Sequence, residues 1–448
     1  MKQTLAKVYR KTMAHYLNLI IPSDGSLLEI GCGCGLLLKM LHGASKIGID
    51  GEEAAIEAAR SLNPEATFFV ARGEEFVPNR TPEYILLCDT LNNADDIQAV
   101  LEKARSYAAA QTRLVISCYN TLWRPLLAVA TFLGLRAKQL PMNWVSRADL
   151  ENLVELAGWE IIRNEARILC PSEIPFISHF LNRWIAPLLP CLCFAVIVIA
   201  RPRSLGNIKP MSVSVIIPAR NESGNIAAAV ACTPQMGLWT ELIFIEGNST
   251  DDTWQAIQKI KAEYPELRIK LAQQPGRGKG DAVRLGYAMA EGEVLMILDA
   301  DLTTPPEDMP KFYHAIASGA CEFANGSRLV YPMEKKAMQF CNLCVNKIFG
   351  ILFSWLLGQQ VKDTLCGTKV LTKKNYLRLA ANRNYFGDFD PFGDFDLLFG
   401  ANKLNLKIRD IPVRYRERTY GSTNITRWSC GVLLLRMLLF AAKKMKFV

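Results

Sequence analysis

A segment rich in proline, glycine and basic residues, 201–210, divides this chain of 448 residues into two halves. On each side of it, short apolar runs of strand composition alternate with stretches of helical periodicity. Such an alternation is typical of α/β domains, in which helices pack against a largely parallel sheet. We therefore predict two α/β domains, at 1–203 and 211–425, joined by a linker at 204–210 and followed by a basic amphipathic helix at 426–448.

The net charge of +9 resides in the C-terminal part of the chain. Residues 401–448 contain eleven Lys or Arg and two Asp or Glu, so the first 400 residues are about neutral. A nucleic-acid-binding protein usually spreads basic residues over its binding domain, and this distribution argues against that class. Basic residues mixed with Leu, Phe and Trp favour contact with an anionic membrane surface or with phosphate-bearing substrates.

The thirteen cysteines are scattered, and no close pair has a second pair at zinc-finger spacing. We therefore expect reduced thiols in a cytosolic protein. The N-terminal residues lack the apolar core of a signal peptide. The longest apolar run, 185–200, is interrupted by Pro187 and Pro190 and is too short to span a bilayer comfortably. These features predict a cytoplasmic protein without a transmembrane helix, in peripheral contact with the membrane.

Seven short apolar segments predict the strands of the first half. Helical patterns at 52–61 and 95–110 separate early members of the set, whereas the last two have only a proline-interrupted stretch between them. We therefore predict five helix-separated strands followed by a hairpin-like pair, together forming a seven-stranded sheet. The predicted strands are 26–30, 46–50, 67–70, 84–88, 113–118, 159–169 and 194–200.

Three glycines, Gly31, Gly33 and Gly35, lie between the first of these strands and a helical pattern. Glycine at such a turn allows the backbone to approach a ligand closely. A nicotinamide-binding fingerprint would have its third glycine at position 36, where this chain has Leu36. The observed spacing resembles that of class I S-adenosylmethionine-dependent methyltransferases. That resemblance covers about residues 10–203 and implies a seven-stranded Rossmann-like methyltransferase fold.

The resemblance also implies S-adenosylmethionine as the cofactor and a set of residues that would hold it. Asp50 ends the second strand, where the family uses a carboxylate to accept hydrogen bonds from the ribose hydroxyls. Asp89 ends the fourth strand, near the methyl-transfer position in such folds. A non-catalytic binding or docking module is the alternative. The implied cofactor-binding residues are Glu29, Gly31, Gly33, Gly35, Asp50 and Gly51.

In the second half, the sequence Asp299-Ala300-Asp301 directly follows an apolar strand at 294–298. Two carboxylates one residue apart at a strand exit can hold a divalent cation beside a diphosphate, and that cation neutralises the charge of a departing nucleoside diphosphate. Such pairs also occur by chance in solvated turns. Here three polar segments precede the pair in order, each beside a strand or a helix: 218–222, 246–253 and 274–282. This order favours a nucleotide site that uses Mg²⁺ or Mn²⁺.

These segments resemble those of family 2 glycosyltransferases with the GT-A fold, especially relatives of the polyprenyl-phosphate sugar synthases, over about residues 211–425. The resemblance implies a single inverting displacement at the anomeric carbon of a nucleotide diphosphate sugar. The family's usual Asp-Asp-Gly-Ser turn is replaced here by 246–249, so the nucleobase stays open. It implies Asp301 as a catalytic residue and Asp299 and Asp301 as metal ligands. The implied nucleotide-sugar-binding residues are Pro218, Arg220, Asn221, Glu222, Glu246, Asn248, Lys279, Asp299 and Ala300.

By the same resemblance, Arg328 and Lys369 are candidates for binding an acceptor phosphate. Asp394, in the late acidic motif 393–396, is the candidate general base for a hydroxyl acceptor. A phosphate acceptor would need no strong base, because it is ionised at neutral pH. A nucleotidyltransferase also uses paired aspartates on a nucleotide-binding α/β sheet, and it would release pyrophosphate instead of a nucleoside diphosphate.

Two segments, 337–358 and 425–446, combine Leu, Phe and Trp with few charges or with basic residues. In related lipid-phosphate glycosyltransferases these regions meet the bilayer, and core packing with a solvated basic end is the alternative. Together these features predict a bifunctional enzyme. One domain would transfer a sugar, of the hexosyl type, to a lipid-phosphate or glycan acceptor. The other would transfer a methyl group, in the same cell-surface glycan pathway.

Overall fold

A computed structural model describes residues 2–132, 143–172, 174, 176–204, 208–330, 340–382, 393–418, 420–421 and 427–448. Within these ranges the side chains of 2–7, 130, 340–344, 394 and 427–432 are not described. The chain forms two compact units. The first contains residues 1–203 and 442–448, and the second contains residues 204–441. The C-terminal residues 442–448, which the sequence places in the predicted final helix, therefore belong to the first unit.

The first unit is built on a seven-stranded sheet with the order β3-β2-β1-β4-β5-β7-β6. All neighbouring strands are parallel except β7, which is antiparallel to both β5 and β6. The predicted seven strands and the hairpin-like pair are confirmed. The strands are β1 Ser26–Ile30, β2 Ser45–Asp50, β3 Thr67–Val70, β4 Tyr84–Cys88, β5 Arg113–Tyr119, β6 Trp159–Arg167 and β7 Ala195–Pro202.

Helices cover both faces of this sheet, because successive residues of its strands point to opposite sides. Leu27 packs in one core with α1 and α3, whereas Leu28 packs in a second core with α4 and α6. The expectation that helices separate the first five strands is wrong at one place, since the connection 71–83 from β3 to β4 contains no helix. The helices are α1 Lys2–Ile20, α2 Leu36–Met40, α3 Glu53–Leu62, α4 Ile97–Ser106, α5 Arg124–Phe132, α6 Arg147–Leu156 and α7 Ile177–Phe180.

The second unit has its own seven-stranded sheet, with the order β10-β9-β8-β11-β13-β12-β14. The four strands β8 to β11 are parallel, β13 is antiparallel to its neighbours β11 and β12, and β12 is parallel to β14. The strands are β8 Val213–Ala219, β9 Thr240–Glu246, β10 Arg268–Gln273, β11 Val294–Ile297, β12 Phe323–Ser327, β13 Lys369–Thr372 and β14 Ile408–Pro412.

Alternation along β8 again sends side chains to both faces of the sheet. Val215 and Ile217 join the core under α8, α9 and α11, whereas Ile216 packs against Gly286 of α10. The α/β class predicted for both halves is confirmed. The helices are α8 Ile226–Cys232, α9 Thr253–Glu263, α10 Lys279–Met289, α11 Met309–Ala317, α12 Phe340–Leu357, α13 Lys373–Ala381, α14 Asp394–Lys403 and α15 Arg427–Met445.

Among the helices that the structure describes, none has both the length and the apolar composition needed to cross a membrane. The described part of α12 has two apolar faces: Phe353 and Leu356 are buried, whereas Ile348 and Ile351 are exposed. The described part of α15 is similar, with Met437 buried and Leu439 exposed.

Candidate active sites

A cleft of about 830 Å³ opens in the first unit at the carboxyl ends of β1, β2 and β4. Ligands of open α/β sheets bind at this end of the strands. Five of the six residues implied by the glycine motif line the cleft, namely Glu29, Gly31, Gly33, Asp50 and Gly51. The sixth, Gly35, is buried behind it, where a Cβ atom would lie 3.1 Å from the side chains of both Ala59 and Asn63.

The glycine turn is held in shape by Asp50. The Gly33 N–H donates to Oδ2 of Asp50 at 2.8 Å, and the Glu52 N–H donates to Oδ1 at 3.0 Å. Gly33 has φ +51°, and a Cβ atom built there would meet nothing within 4 Å, so the turn borders open space. Each carboxylate oxygen of Asp50 still has a lone pair for a ligand hydroxyl.

Glu29 is a buried acid at the floor of the same cleft, 2% exposed. Burial raises its pKa to about 8, and the nearby Arg10 guanidinium opposes that shift. Its Oε2 atom has no hydrogen-bond partner among the described residues. A buried polar atom of this kind is costly unless a ligand supplies a hydrogen-bond partner. The orphaned oxygen and the open glycine turn therefore fit a polar cofactor in this cleft.

Asp89 lies at the end of β4, on the side of the cleft away from Asp50. Its Oδ1 atom accepts hydrogen bonds from the Tyr9 hydroxyl at 3.0 Å and the Ser117 hydroxyl at 3.2 Å. Withdrawal from solvent raises the pKa of Asp89 to about 6, while these hydrogen bonds oppose the rise. Asp89 also has φ +60°, which is uncommon for a residue with a side chain. A carboxylate is thus fixed inside the cleft and titrates close to neutral pH.

Aromatic rings form the rest of this side of the cleft, and sequence reasoning missed them. Tyr9, Tyr119, Trp123 and Phe194 line it, with the rings of Tyr9 and Phe194 5.5 Å apart and edge to face. They come from α1, from β5 and the turn after it, and from the residue before β7. The alternation of apolar residues gave no signal for this cluster, because the tertiary fold alone brings its members together.

In the second unit, the predicted polar segments follow neighbouring parallel strands. Arg220 to Glu222 follow β8, Glu246 ends β9, and Asp299 to Asp301 follow β11 closely. Because parallel strands end at the same edge of a sheet, these residues share one side of the unit. Pro218 lies in β8, Ala300 is buried between the two aspartates, and Arg220 and Asn248 are exposed.

Asp299 forms an ion pair with Lys279, the first residue of α10, with Oδ1 and Nζ 2.6 Å apart. Burial alone would raise the pKa of Asp299, but the positive charges of Lys279, Lys369 and Arg328 outweigh it and lower that pKa. Asp299 is therefore a carboxylate at neutral pH. Gly367 lies against this ion pair, since a Cβ atom built there would overlap both partners.

Asp301 has a different cationic partner. Arg418 donates from Nη2 to Oδ2 of Asp301 at 2.7 Å and from Nη1 to Oε1 of Glu222 at 3.0 Å. Burial raises the pKa of Glu222, and Arg418 opposes the rise. The other oxygen of Asp301 accepts from the N–H and the hydroxyl of Thr303. Sequence reasoning missed Arg418, which lies beyond β14 in a stretch with several arginines and no distinguishing spacing.

Three other residues of the predicted pocket join neighbouring loops through hydrogen bonds. Asn221, at φ +56°, accepts the Thr250 N–H on its Oδ1 atom at 2.8 Å. Glu246 accepts the Ser249 N–H on one oxygen and the Gln273 amide on the other, at 3.1 Å. Asn248 donates to the carbonyl of Gly276 at 3.2 Å. The turns after β8, β9 and β10 are therefore tied together before any ligand is present.

Both candidate acceptor residues already have partners within the protein, and they differ in exposure: the Arg328 side chain is 12% exposed, whereas Lys369 is fully buried. Arg328 forms a two-point ion pair with the fully buried Asp363, with Nε to Oδ2 2.7 Å and Nη2 to Oδ1 2.9 Å. Lys369 lies in β13, is fully buried, and donates to the carbonyl of Cys366. Both nevertheless contribute positive charge near Asp299.

The side chain of the candidate base Asp394 lies outside the described residues, but its helix is described. Gly393, which precedes α14, has φ +72°, and a Cβ atom there would lie 2.7 Å from Cα of Gly280 in α10. The first turns of α14 and α10 therefore meet backbone to backbone, which brings position 394 close to Lys279. Among the described residues, no three His, Cys, Asp or Glu side chains gather as a metal-binding group. Asp299 and Asp301 do offer the carboxylate oxygens that Mg²⁺ and Mn²⁺ prefer.

Comparison with known proteins gives two family matches. Residues 4–164 match the methyltransferase domain family, and residues 214–384 match glycosyl transferase family 2. A SAM-dependent methyltransferase structure from Mesorhizobium loti covers 42% of this chain and 97% of that one, with 17% identity and a TM-score of 0.33.

Curated relatives resemble the second unit. A dolichol-phosphate mannosyltransferase of Pyrococcus furiosus is 37% identical over 170 residues, which are 37% of this chain and 47% of that protein. A dolichyl-phosphate beta-glucosyltransferase of Saccharomyces cerevisiae is 27% identical over 227 residues, covering 46% of this chain and 66% of that protein. The chain thus spans about half the length of the first of these relatives. Both predicted resemblances are confirmed: this polypeptide joins a methyltransferase domain to a family 2 glycosyltransferase domain.

Proposed function

We propose that the second unit transfers a hexosyl group from a nucleotide diphosphate sugar to a lipid-phosphate acceptor. The observation that carries this proposal is the pairing of acids and cations at the edge of the sheet, where Asp299 contacts Lys279 and Asp301 contacts Arg418. A donor diphosphate needs both charge types: cationic side chains that bind it directly, and carboxylates that hold a divalent cation beside it. The dolichol-phosphate sugar transferases among the relatives support the lipid-phosphate acceptor.

In this proposal Asp299 and Asp301 would hold Mg²⁺ or Mn²⁺, which would supply positive charge to the departing diphosphate. Lys279 and Arg418, which pair with these two carboxylates, would offer their charged groups to the phosphate oxygens. The first turns of α10 and α14 meet there, so the positive ends of two helix dipoles would lie on the same side. An ionised phosphate acceptor attacks the anomeric carbon without a base, whereas a hydroxyl acceptor would use Asp394.

A transfer assay with GDP-mannose and UDP-glucose as donors and dolichyl or polyprenyl phosphate as acceptor tests this proposal. We expect Asp301→Asn to lower the transfer rate at least about a hundredfold. The control is Glu266→Gln, an exposed acid outside the three polar segments, which should stay within about twofold. Release of pyrophosphate instead of a nucleoside diphosphate would identify a nucleotidyltransferase. If no donor supports transfer, the proposal of hexosyl transfer to a lipid phosphate is rejected.

We further propose that the first unit binds S-adenosylmethionine and transfers its methyl group. The support is the orphaned oxygen of Glu29 beside an open glycine turn that Asp50 holds. Asp50 would accept the ribose hydroxyls, while the Gly31 and Gly33 backbone would border the cofactor. We propose that both activities serve one cell-surface glycan pathway from the cytoplasmic side of the membrane, and this rests only on the fusion of the domains.

Calorimetric titration with S-adenosylhomocysteine separates a cofactor site from a docking module. We expect binding by the full chain and a loss of about tenfold or more in Asp50→Ala, because hydrogen bonds to a charged group are lost. Asp50 also holds backbone N–H groups, so the thermal stability of the variant must be measured alongside. Asp24→Ala, an exposed acid outside the cleft, is the control. No binding by the full chain would favour the docking module.

A further inference from the structure

The first unit carries two exposed apolar stripes that its fold does not use. One runs along α5 and the turn before it, and its side chains recur every three or four residues, as on one helix face. The other runs along α7 and the helical turns that continue it. Phe132 in the first stripe is 90% exposed, and Phe176 at the start of the second is 92% exposed. The first stripe is Leu122, Leu126, Val129 and Phe132; the second is Phe176, Ile177, Phe180, Trp184 and Leu188.

The two stripes belong to one region of the unit. The Trp123 indole N–H donates to the carbonyl of Leu192 at 3.0 Å, and the Asn120 amide donates to the carbonyls of Cys191 and Cys193, each at 2.9 Å. These bonds fasten the start of α5 to the end of the segment that carries the second stripe. An apolar surface of this extent is unusual on a protein that meets only water.

The same segments line the methyl-transfer cleft with their inner faces. Trp123 and Leu127, on the inner side of the first stripe, line the cleft, as do Pro171 and Phe194 at the two ends of the second segment. Apart from Arg124 at its start and Thr131 near its end, the α5 helix therefore consists of apolar residues on both sides. A helix that is apolar all round is normally covered on all sides. The outer side of α5 lacks such a cover among the described residues.

The basic residues around the two stripes indicate what kind of partner covers them. The described residues 120–132 and 176–194 contain Arg124 and Arg183 and no Asp or Glu. The basic C-terminal segment 442–448 adjoins the second stripe, since the ring of Phe447 stacks on Trp184 at 5.2 Å, and it also lacks acids. Trp, Phe and Leu surrounded by basic side chains match the boundary of an anionic bilayer. A second copy of this surface would instead bring like charges together.

We propose that these two stripes form a membrane-docking surface of the methyltransferase unit, with an anionic phospholipid bilayer as its partner. The surface is separate from α12, where the sequence predicts bilayer contact. The proposal rests on the exposure and charge of these residues and does not depend on methyl transfer. Docking through this surface would place the side of the cleft that Trp123 and Leu127 line next to the lipid headgroups.

Vesicle flotation of the full chain tests the proposal, with phosphatidylcholine vesicles compared with vesicles that also contain phosphatidylglycerol. We expect the protein to float with the anionic vesicles, less so at high salt. Phe132→Ser/Phe176→Ser should lower the bound fraction at least about tenfold, because two large apolar side chains no longer enter the lipid. Val77→Ser, which removes an exposed apolar side chain elsewhere in the same unit, should bind as the parent does.

Two further measurements distinguish a loss of docking from misfolding and from membrane contact through α12. Titration with S-adenosylhomocysteine reports whether the double variant keeps the cleft of the parent chain, so misfolding cannot imitate a loss of docking. Ile351→Ser, on the exposed side of α12, tests the separate surface. The proposal is overturned if the parent fails to float, if the double variant floats equally well, if only Ile351→Ser abolishes flotation, or if the double variant converts a dimer into a monomer in light scattering.

Discussion

The charge of Asp89 changes with pH not far below neutrality, because burial in the cleft raises its pKa. Its pKa of about 6 means that it is mostly ionised at pH 7 and mostly protonated at pH 5. If it faces the methyl-transfer point, it should attract sinefungin, an analogue with an amine-bearing carbon in place of the methylsulfonium. We predict that Asp89→Asn weakens sinefungin binding about tenfold or more while S-adenosylhomocysteine binding changes less.

Calorimetry with both ligands over this pH range measures the effect. In the parent chain, the preference for sinefungin should fall as the pH drops through about 6, because protonation removes the negative charge of Asp89. The variant should lose this pH dependence. An equal loss of both ligands in Asp89→Asn would contradict a position at the methyl-transfer point and would assign the residue to the structure of the cleft.

Arg418 pairs with two carboxylates through one side chain, so its removal should lower the stability of the second unit even when no substrate is bound. We predict that Arg418→Ala lowers the stability of the second unit by about 2 kcal/mol, because Glu222 and Asp301 are left without their shared donor. That loss corresponds to a drop in melting temperature of about 4 to 8 °C.

Mn²⁺ should raise the melting temperature of Arg418→Ala more than that of the parent, because no guanidinium then competes for Asp301. Differential scanning calorimetry with and without Mn²⁺ measures both effects. Arg416→Ala is the matched control, since Arg416 pairs on the same segment with the exposed Glu307 at 3.5 Å. A metal response that is equal in parent and variant would argue against a cation site at Asp301.

At the residue scale, motif spacing predicted the side chains that follow strands directly. Asp50, Asp299 and Asp301 lie at the ends of β2 and β11, because a residue next to a strand end is placed by the strand itself. Tyr9 and Arg418 were not predicted. They reach the sites from a helix and a late segment whose positions depend on packing, and neither has a local pattern that sets it apart.

Among the elements, β12 and the loop before β13 are joined by the buried pair of Arg328 and Asp363. The Arg328 guanidinium outweighs the effect of burial and lowers the pKa of Asp363 to about 2, against 3.8 in the unfolded chain. The folded-state pKa is the lower one, so this pair stabilises the unit above about pH 4 and the effect is lost as the pH falls to 2.

We predict a loss of about 2 kcal/mol of unfolding free energy over that pH interval from this group. Urea denaturation of the parent and of Asp363→Asn at several pH values measures it. The variant should be less stable than the parent at pH 7, and the difference should shrink toward pH 2. The Asp24→Asn variant, which changes an exposed acid, controls for the general effect of acid. A difference that stays constant with pH would contradict the assigned cause.

Strand positions were largely predictable at the element scale, since buried strands of parallel sheets are short continuous apolar runs. The connection 71–83 was not, because a loop of that length without a helix is uncommon between parallel strands. The antiparallel direction of β13 was also invisible, since strand direction depends on the path of the intervening chain and not on the composition of the strand.

At the scale of the whole molecule, the C-terminal residues complete the first unit. The buried Arg167 donates to the carbonyls of Met445 and Lys446, each at 2.9 Å, and Val448 packs against the core that contains α1. We predict that truncation after Ala441 destabilises the first unit by about 2 kcal/mol or more, because a buried guanidinium loses two acceptors.

Calorimetry with S-adenosylhomocysteine identifies the transition of the first unit, since a ligand stabilises only the unit that binds it. That transition should move to lower temperature in the truncated chain, while the other stays in place. Lys443→Ser, an exposed change in the same segment, is the control. Equal shifts of both transitions would contradict the assignment of 442–448 to the first unit. No local pattern indicated that the chain returns to the first unit, because the composition of 442–448 is that of a basic helix end.

The contact between Gly280 and Gly393 has a mechanical consequence. No side chain stands between the two backbones, so nothing compressible is available to absorb a relative displacement of their helices. A movement of the first turn of α10 toward Gly393 must therefore displace α14 as well. Positions 279 and 394, far apart along the polypeptide, are thereby coupled against compression.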